Sequence, residues 1–196
     1  MRPGPRLPAL IALCAALLGA AHAPGAGAQN PLRAEIAARS LTHMVAGTAR
    51  GCGLRLFAAH VASDQWIVAV ETSIDAFADG TAAFKGGVFE FAAPGPGRSP
   101  MPVPVAIDAV WVKSPDLDAF TPVLNKVDKA EGGYALRYAI NVNSAIGAML
   151  AAIKGEPILF GFRRADNLAE PVLFGNPKLG RNESEQLQRC VVNLAR

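Results

Sequence analysis

Residues 133–143 read GYALRYAINVN, and this stretch decides the class of fold that the sequence predicts. In an extended chain, one face would carry the five apolar side chains of Tyr134, Leu136, Tyr138, Ile140 and Val142. The other face would carry Ala135, Arg137, Ala139 and Asn141. Apolar residues at every second position are typical of a strand that buries one side, so we expect a half-buried β-strand.

The next segment, SAIGAMLAAIK (144–154), changes from the spacing of a strand to that of a helix. Asn143 precedes it as a candidate N-cap, and Gly155 follows it as a candidate C-terminal stop. The apolar stripe expected to face the sheet consists of Ile146, Met149, Leu150 and Ile153. The sequence therefore predicts a strand followed directly by an amphipathic helix.

Two strands and a last helix complete the C-terminal part of the prediction. EPILFGFRR (156–164) and EPVLFG (170–175) have the composition of strands and are expected to pair as a hairpin. Asn182 and Glu185 have the spacing of a capping box, which predicts the start of a helix. Its inward side chains are expected to be Leu187, Cys190, Val191 and Leu194.

The N-terminal half begins with a predicted helix and continues with strands. Asn30-Pro31 resembles an N-cap followed by proline at the first helical position, and the apolar spacing after it predicts a helix to about Ala46. Strand-like runs then occupy four segments, 54–61, 66–72, 86–91 and 105–113. Between the last two lies the proline-rich stretch 93–104, which we expect to be a surface loop.

This order of elements predicts an α+β fold. We expect a mostly antiparallel β-sheet or small sandwich with a helix before it, one inserted near 144–154 and one at the C-terminus. Neither the segment before the proline-rich loop nor the segment after it looks like a complete domain by itself. Residues 29–196 are therefore expected to form a single globular domain.

The N-terminus has the layout of a secretory signal peptide. Arg2 and Arg6 precede an apolar run, Leu7 to Ala21, which small residues follow. The run is shorter than the about 20 apolar residues of a membrane-spanning helix. We expect cleavage of residues 1–28 after Ala28, and a periplasmic or secreted protein that keeps no membrane span.

The charge of the mature chain excludes one class of partner. Residues 1–28 contain two arginines and no acid, so 17 of the 19 basic and all 16 acidic residues remain, for a net charge of +1. Nucleic-acid binding rewards a dense stripe of Lys and Arg, so we expect no nucleic-acid partner. A small ligand or another exported protein fits this balance better.

Two cysteines remain after export, Cys52 in RGCGLRL (50–56) and Cys190 near the C-terminus. In an oxidising compartment they have one intramolecular pairing open to them, so we expect a Cys52–Cys190 disulfide. One alternative makes Cys52 a nucleophile activated by His43 or His60. Another uses two cysteines and two histidines as zinc ligands, but their spacing matches no established zinc pattern.

The C-terminal half resembles a known family. GYALRYAINVNSAIGAMLAAIKGEPILFGFRR (133–164), followed by EPVLFGNPKLGRNESEQL (170–187), is similar in layout to the invasion-associated locus B family of exported bacterial proteins. The resemblance implies an exported protein with a non-enzymatic binding role. That family tends to carry more cysteines, including one close to the strand before the helix, and Tyr134 has none beside it. No functional residue transfers.

The sequence lacks several established catalytic and nucleotide-binding motifs. It contains no G-x-S-x-G elbow, no Walker-type phosphate loop and no G-x-G-x-x-G after a strand, so we expect no cofactor and assign no catalytic or metal-binding residue. Asp75 and Asp79 precede Gly80 but lack the remaining ligands of a calcium loop, and Asp79-Gly80 predicts a turn.

One group of basic residues suggests a binding site. Arg137 lies on the polar face of its strand, and Arg163 and Arg164 end another strand. If the two strands are neighbours, the three guanidinium groups would form a small anion-binding patch. Ordinary surface charge, paired with Asp166 or Glu170, is the alternative.

The sequence therefore favours an exported, non-catalytic binding or accessory protein of unknown ligand. The alternative is a periplasmic hydrolase in which acids converge with His43 or His60 in the fold. The two hypotheses differ in one observable: the hydrolase needs a histidine within hydrogen-bond reach of an acid in a cleft.

Mass spectrometry of the protein recovered from its exported compartment tests the predicted processing. We expect a chain that starts at Gln29, with a mass about 2 Da below that of the dithiol form because two thiol hydrogens are lost on oxidation. Reductant should restore the higher mass. A chain that keeps residues 1–28 would contradict the predicted cleavage.

Overall fold

Long strands dominate the N-terminal half of the computed structural model, which describes residues 30–63, 66–92, 101–114, 128–130, 135–166 and 171–194. Over these ranges the strands are β1 (Leu32–Arg33), β2 (Glu35–Val45), β3 (Thr48–Ser63), β4 (Trp66–Phe77), β5 (Ala82–Ala92), β6 (Pro102–Pro104), β7 (Ile107–Lys113), β8 (Asp128–Ala130), β9 (Ala135–Ala139), β10 (Ile158–Arg164), β11 (Val172–Gly175) and β12 (Pro177–Lys178). The helices are α1 (Val142–Lys154) and α2 (Arg181–Leu194).

The strands form a large and a small sheet. The large sheet has the order β12-β2-β3-β4-β5-β9-β8, with β6 also paired to β5. Its neighbours from β2 to β5 are antiparallel and follow one another along the chain. Ala46-Gly47, both with positive φ, make the tight turn between β2 and β3. The predicted Asp79-Gly80 turn joins β4 to β5.

The small sheet has the order β1-β11-β10-β7. Its strands β10 and β11 pair antiparallel, which confirms the predicted hairpin. Two chain segments run side by side from this sheet into the large one, because β1 continues into β2 and β11 continues into β12 in parallel. Where both segments pass from the small sheet to the large one, the Ala34 amide donates to the Phe174 carbonyl (2.8 Å). The two backbones are close there, since a Cβ on Gly175 would lie 2.3 Å from the Ala34 carbonyl oxygen.

One face of the large sheet, which we call the inner face, builds the core. Helix α1 packs on β4 and β5, α2 packs on β2 and β3, and the small sheet contacts the same layer through β7 and β11. Many inner-face side chains are fully or almost fully buried, among them Ile36, Leu54, Leu56, Val70, Ile74, Phe84 and Val88. The opposite face, the outer face, packs against neither helix. The predicted α+β class is confirmed.

The predicted helix over residues 31–46 is wrong, because this segment forms β1 and β2. Ala34, Ile36 and Ala38 are buried while the residues between them are exposed, which is the period of a strand. Alanines on both faces obscure this alternation in the sequence. The expected apolar stripe does not exist, since Met44 and Val45 are 57% and 61% exposed.

Helix α1 forms where it is expected, but its cap and its buried face differ from the prediction. Asn141 is the N-cap, and its side-chain oxygen accepts from the Asn143 amide (2.8 Å). Met149 is buried as predicted, together with four alanines, Ala145, Ala148, Ala151 and Ala152. Ile146 and Ile153 are partly buried against the core, and only Leu150 of the predicted stripe is exposed. Gly155 ends the helix in the left-handed conformation, as predicted.

Helix α2 buries Leu187 and Val191, as predicted, with Cys190 and Leu194 partly buried. The capping box at the start of this helix is formed by residues other than those predicted. The carboxylate of Glu183 accepts from the amide of Gly180 (3.4 Å), so Gly180 and Glu183 take the place of the predicted Asn182 and Glu185.

The proline-rich stretch lies partly outside the described residues, since positions 93–100 are not among them. At its end, Pro102–Pro104 forms β6, which pairs with residues 89–91 of β5. The expectation of a loop over the whole of 93–104 is therefore wrong for these residues. Proline is tolerated there because one side of β6 needs no ladder hydrogen bond.

Cys52 and Cys190 form the predicted disulfide, with an S–S distance of 2.06 Å and a Cα–Cα distance of 5.8 Å. Cys52 is fully buried on the inner face of β3, and Cys190 lies on α2. The bond therefore attaches the last helix to an interior strand of the large sheet. It joins residues 138 positions apart, so it removes much of the freedom of the unfolded chain.

The double variant Cys52→Ala/Cys190→Ala should lower the free energy of unfolding by about 4 to 5 kcal/mol, because a loop of this length is no longer closed in the unfolded state. Urea denaturation followed by circular dichroism measures the change. Reduced wild-type protein is the control and should show a similar loss. A loss below about 1 kcal/mol would show that packing alone holds α2 in place.

Candidate functional site

The two glycines beside Cys52 leave the outer face of β3 without side chains at positions 51 and 53. Cys52 points to the inner face, so Gly51 and Gly53 face outward. A Cβ on Gly53 would lie 2.5 Å from Asp75 Oδ1 and 3.0 Å from His43 Nε2. The bare backbone at Gly53 is therefore what lets side chains from β2 and β4 meet across β3.

His43 and Asp75 meet at this gap. His43 Nε2 lies 2.7 Å from Asp75 Oδ1, and the two side chains are 35% and 16% exposed. The ring of Phe77 lies beside the imidazole, with a distance of 5.2 Å between ring centroids. The hydrolase hypothesis requires a histidine within hydrogen-bond reach of an acid, and His43 and Asp75 meet this requirement.

A second ion pair lies further along the same strands, two residues from Gly53 on β3 and four residues from Asp75 on β4. Arg55 Nε donates to Glu71 Oε1 at 2.5 Å, and the Arg55 Nη2 group contacts the same oxygen. Both bonds use one carboxylate oxygen and two of the guanidinium nitrogens. Glu71 Oε2 and Arg55 Nη1 take no part in them.

Ser73 lies at the centre of these groups. The strand register places it between Arg55 on β3 and Lys85 on β5, and along β4 it is two residues from both Glu71 and Asp75. Cations therefore flank Ser73 across the strands, and carboxylates flank it along its own strand.

A cavity of about 280 Å³ opens over Ser73 on the outer face. Polar and charged side chains line it together with the apolar groups of Leu41, Phe89 and Ala135. A neighbouring depression of about 310 Å³ is lined by Ala37, Arg39, Arg55, Phe57 and Glu71. The Arg55–Glu71 pair belongs to both, so it stands between two adjoining depressions, which we call the central and the lateral depression.

The structure does not bring the three predicted anion-binding arginines onto neighbouring strands. Arg137 is exposed on β9 of the large sheet, whereas Arg163 and Arg164 lie on β10 of the small sheet. In the small sheet β10 lies between β11 and β7, and neither of these strands pairs with β9 in the sheets that the structure describes. The condition on which the patch depended is not met.

Arg164 forms two ion pairs. It bonds to Asp166, with Nε 3.0 Å from Oδ1, and to Glu90 on β5 of the large sheet. Asp166 first and Glu90 second raise the pKa of Arg164 above its ordinary value, against the effect of burial. The pair with Asp166 matches the alternative interpretation of these arginines as ordinary surface charge paired with an acid. The pair with Glu90 links the two sheets.

The other titratable candidates have local structural partners. His60 Nδ1 lies 2.7 Å from the carbonyl oxygen of Arg33, which ties β3 to β1. The side chain and amide of Thr81 donate to Asp79 and hold its pKa below the ordinary value, as fits a turn residue. Over the described ranges, no three His, Cys, Asp or Glu side chains are placed to hold a metal ion.

Sequence reasoning missed Arg55, Glu71, Ser73 and Lys85. A trace of them was present, because ETSID (71–75) carries polar residues at every second position of a strand. Their meeting depends on the register of β3, β4 and β5, which periodicity within one strand does not specify. In the sequence, nothing distinguishes Gly53 except its position beside Cys52.

Comparison with family models, with curated proteins and with solved structures finds no match to this chain. The resemblance to the invasion-associated locus B family therefore stays a prediction. Of the helices that the structure describes, neither is long and apolar enough to cross a membrane.

The variant Gly53→Ala should break the His43–Asp75 hydrogen bond, because its methyl group would occupy the space between the two side chains. We expect the ¹⁵N NMR signals of the His43 ring to shift as they do in Asp75→Asn, and stability to fall by about 1 to 2 kcal/mol.

Gly180→Ala is the matched control. Its added carbon would have Glu183 Oε2 as nearest neighbour at 3.5 Å, an ordinary contact, so the His43 signals should not change. Unchanged His43 signals in Gly53→Ala would contradict the assigned role of Gly53.

Proposed function

We propose that this is an exported binding protein whose ligand site is the outer face of the large sheet, centred on Ser73. The site consists of the central and lateral depressions and the charged groups around them. Its strands β2 to β5 are fixed from behind by the core, so the side chains stand on a rigid platform.

The arrangement around Ser73 is the observation that carries this proposal. Two cations and two carboxylates converge on one hydroxyl, in a cavity large enough for a small ligand. Folding does not require charges here, since the apolar core lies on the inner face. Convergent polar groups on a concave surface beside Phe89 and Leu41 are typical of small-molecule sites.

Export is supported by the layout of residues 1–28 and by the disulfide, which is typical of oxidising compartments. The resemblance to the invasion-associated locus B family points the same way. A binding role also agrees with the near-neutral charge of the mature chain, which suits a ligand other than nucleic acid.

The second candidate is the hydrolase, which the His43–Asp75 hydrogen bond favours. A histidine oriented by a carboxylate resembles a general base. Acyl transfer also needs donors for the developing oxyanion. The β4 amides near Ser73 face β3 and β5 in the ladder, so they are committed to neighbouring strands. This makes hydrolysis the weaker candidate.

Native mass spectrometry of the protein recovered from its exported compartment tests the binding role. Wild-type protein should carry extra mass that denaturation releases. Ser73→Trp should lose it, because the indole fills the central depression, and the smaller change Ser73→Gln should weaken it. Asn143→Trp, an exposed change in α1, is the control and should keep the ligand.

Retention of the ligand by Ser73→Trp, with a native circular dichroism spectrum, would contradict the outer face as the site. Turnover of p-nitrophenyl acetate that His43→Ala abolishes would favour the hydrolase instead.

A further inference from the structure

We propose that the ligand is a neutral oligosaccharide that lies across the central and lateral depressions, with the Arg55–Glu71 pair between adjacent sugar units. This inference rests on the proposed function, since it assigns a chemical class to the ligand of that same surface. Three properties of the surface support it: balanced charge, unused hydrogen-bonding capacity, and a repeated combination of polar and aromatic groups.

The charges around the central depression balance. Arg55 and Lys85 are matched by Glu71 and Asp75 when His43 is neutral. Arg55 is bonded to Glu71, and Asp75 is bonded to His43. A charged ligand would have to compete with these internal partners and lose its own hydration. A neutral ligand avoids both costs and leaves the pairs in place.

The same pairs keep hydrogen-bonding groups that their internal bonds do not use. Glu71 Oε2 and Asp75 Oδ2 can accept, Arg55 Nη1 can donate, and the Ser73 hydroxyl can do both. A sugar hydroxyl also donates and accepts. Sugar hydroxyls can therefore donate to the carboxylate oxygens and accept from the guanidinium, and such charge-assisted bonds are stronger than neutral ones.

Each depression adds one phenyl ring to this polar set. Phe89 lines the central depression, and Phe57, which is 38% exposed, lines the lateral one. A pyranose has an apolar face of C–H groups that can cover such a ring and bury its surface.

The two depressions also repeat a common plan. They have similar volumes of about 280 and 310 Å³, and they share the Arg55–Glu71 pair. Two adjoining sites with like chemistry favour a ligand built from like units. Arg39 adds a further charge at the lateral depression, where it is exposed to solvent and so stays hydrated.

An NMR titration of the ¹⁵N-labelled mature protein, with its disulfide intact, tests the inference. The probes are glucose, cellotriose, maltotriose and tri-N-acetylchitotriose, with inorganic phosphate and lysine as charged comparisons. We expect a neutral trisaccharide to shift the amide signals of Phe57, Ser73 and Phe89. It should bind at least tenfold more tightly than glucose, because it fills both depressions.

Variants separate the site from general surface binding. Glu71→Gln should weaken trisaccharide binding by about tenfold or more, because the shared pair is lost. Phe57→Ala, at a position that is 38% exposed, should weaken the trisaccharide and leave glucose unaffected. Arg189→Gln, at an exposed position on α2 away from both depressions, should bind like wild type.

Phosphate or lysine binding at the two depressions, with no shift from any saccharide, would overturn the inference and leave the proposed function standing. Saccharide binding that shifts signals only on the small sheet or the helices would overturn the assigned site as well. Equal affinity for glucose and all three trisaccharides would overturn the arrangement across two depressions.

Discussion

The alternation of side chains along β3 is the constraint on which the rest of the molecule depends. Cys52 turns inward and bonds to Cys190 on α2, so the core side of the sheet is closed by a covalent link. Gly51 and Gly53 turn outward on either side of it, so side chains from the neighbouring strands fill the space over them. In the tripeptide Gly51-Cys52-Gly53, the middle residue therefore packs in the core, and the glycines leave room on the outer face for the contact between His43 and Asp75.

The sequence predicted the fold best where its periodicity was strong. Around Tyr138, large apolar residues alternate with small or polar ones, and β9 and α1 both form in this stretch. The strand is shorter than predicted, because Val142 and Asn143 belong to α1. Prediction failed where alanine removed the contrast. Ala37 and Ala38 occupy opposite faces of β2 yet look alike in sequence, and helical propensity then outweighed a weak alternation. In α1 the alanines allow close packing on the sheet, so the larger Leu150 stays outside.

The candidate site was less accessible to sequence reasoning because it is a property of register. Arg55, Ser73 and Lys85 are separated by many residues along the chain and become neighbours only when three strands align. Histidine and acid were considered as a pair, but the gap that unites His43 with Asp75 is created by a residue without a side chain. Arg137 and Arg164 were singled out by charge alone, and the topology separates them.

The parallel pairing of β1–β2 with β11–β12 has a consequence for the order in which the protein folds. Leu32 pairs opposite Leu173, so one of the first strands to leave the ribosome finds its partner among the last. Such non-local pairing slows folding, because the chain must close a long loop before the contact forms. Until β11 emerges, the nascent chain holds β1 without its neighbour. The small sheet therefore cannot be completed until most of the chain has been synthesised.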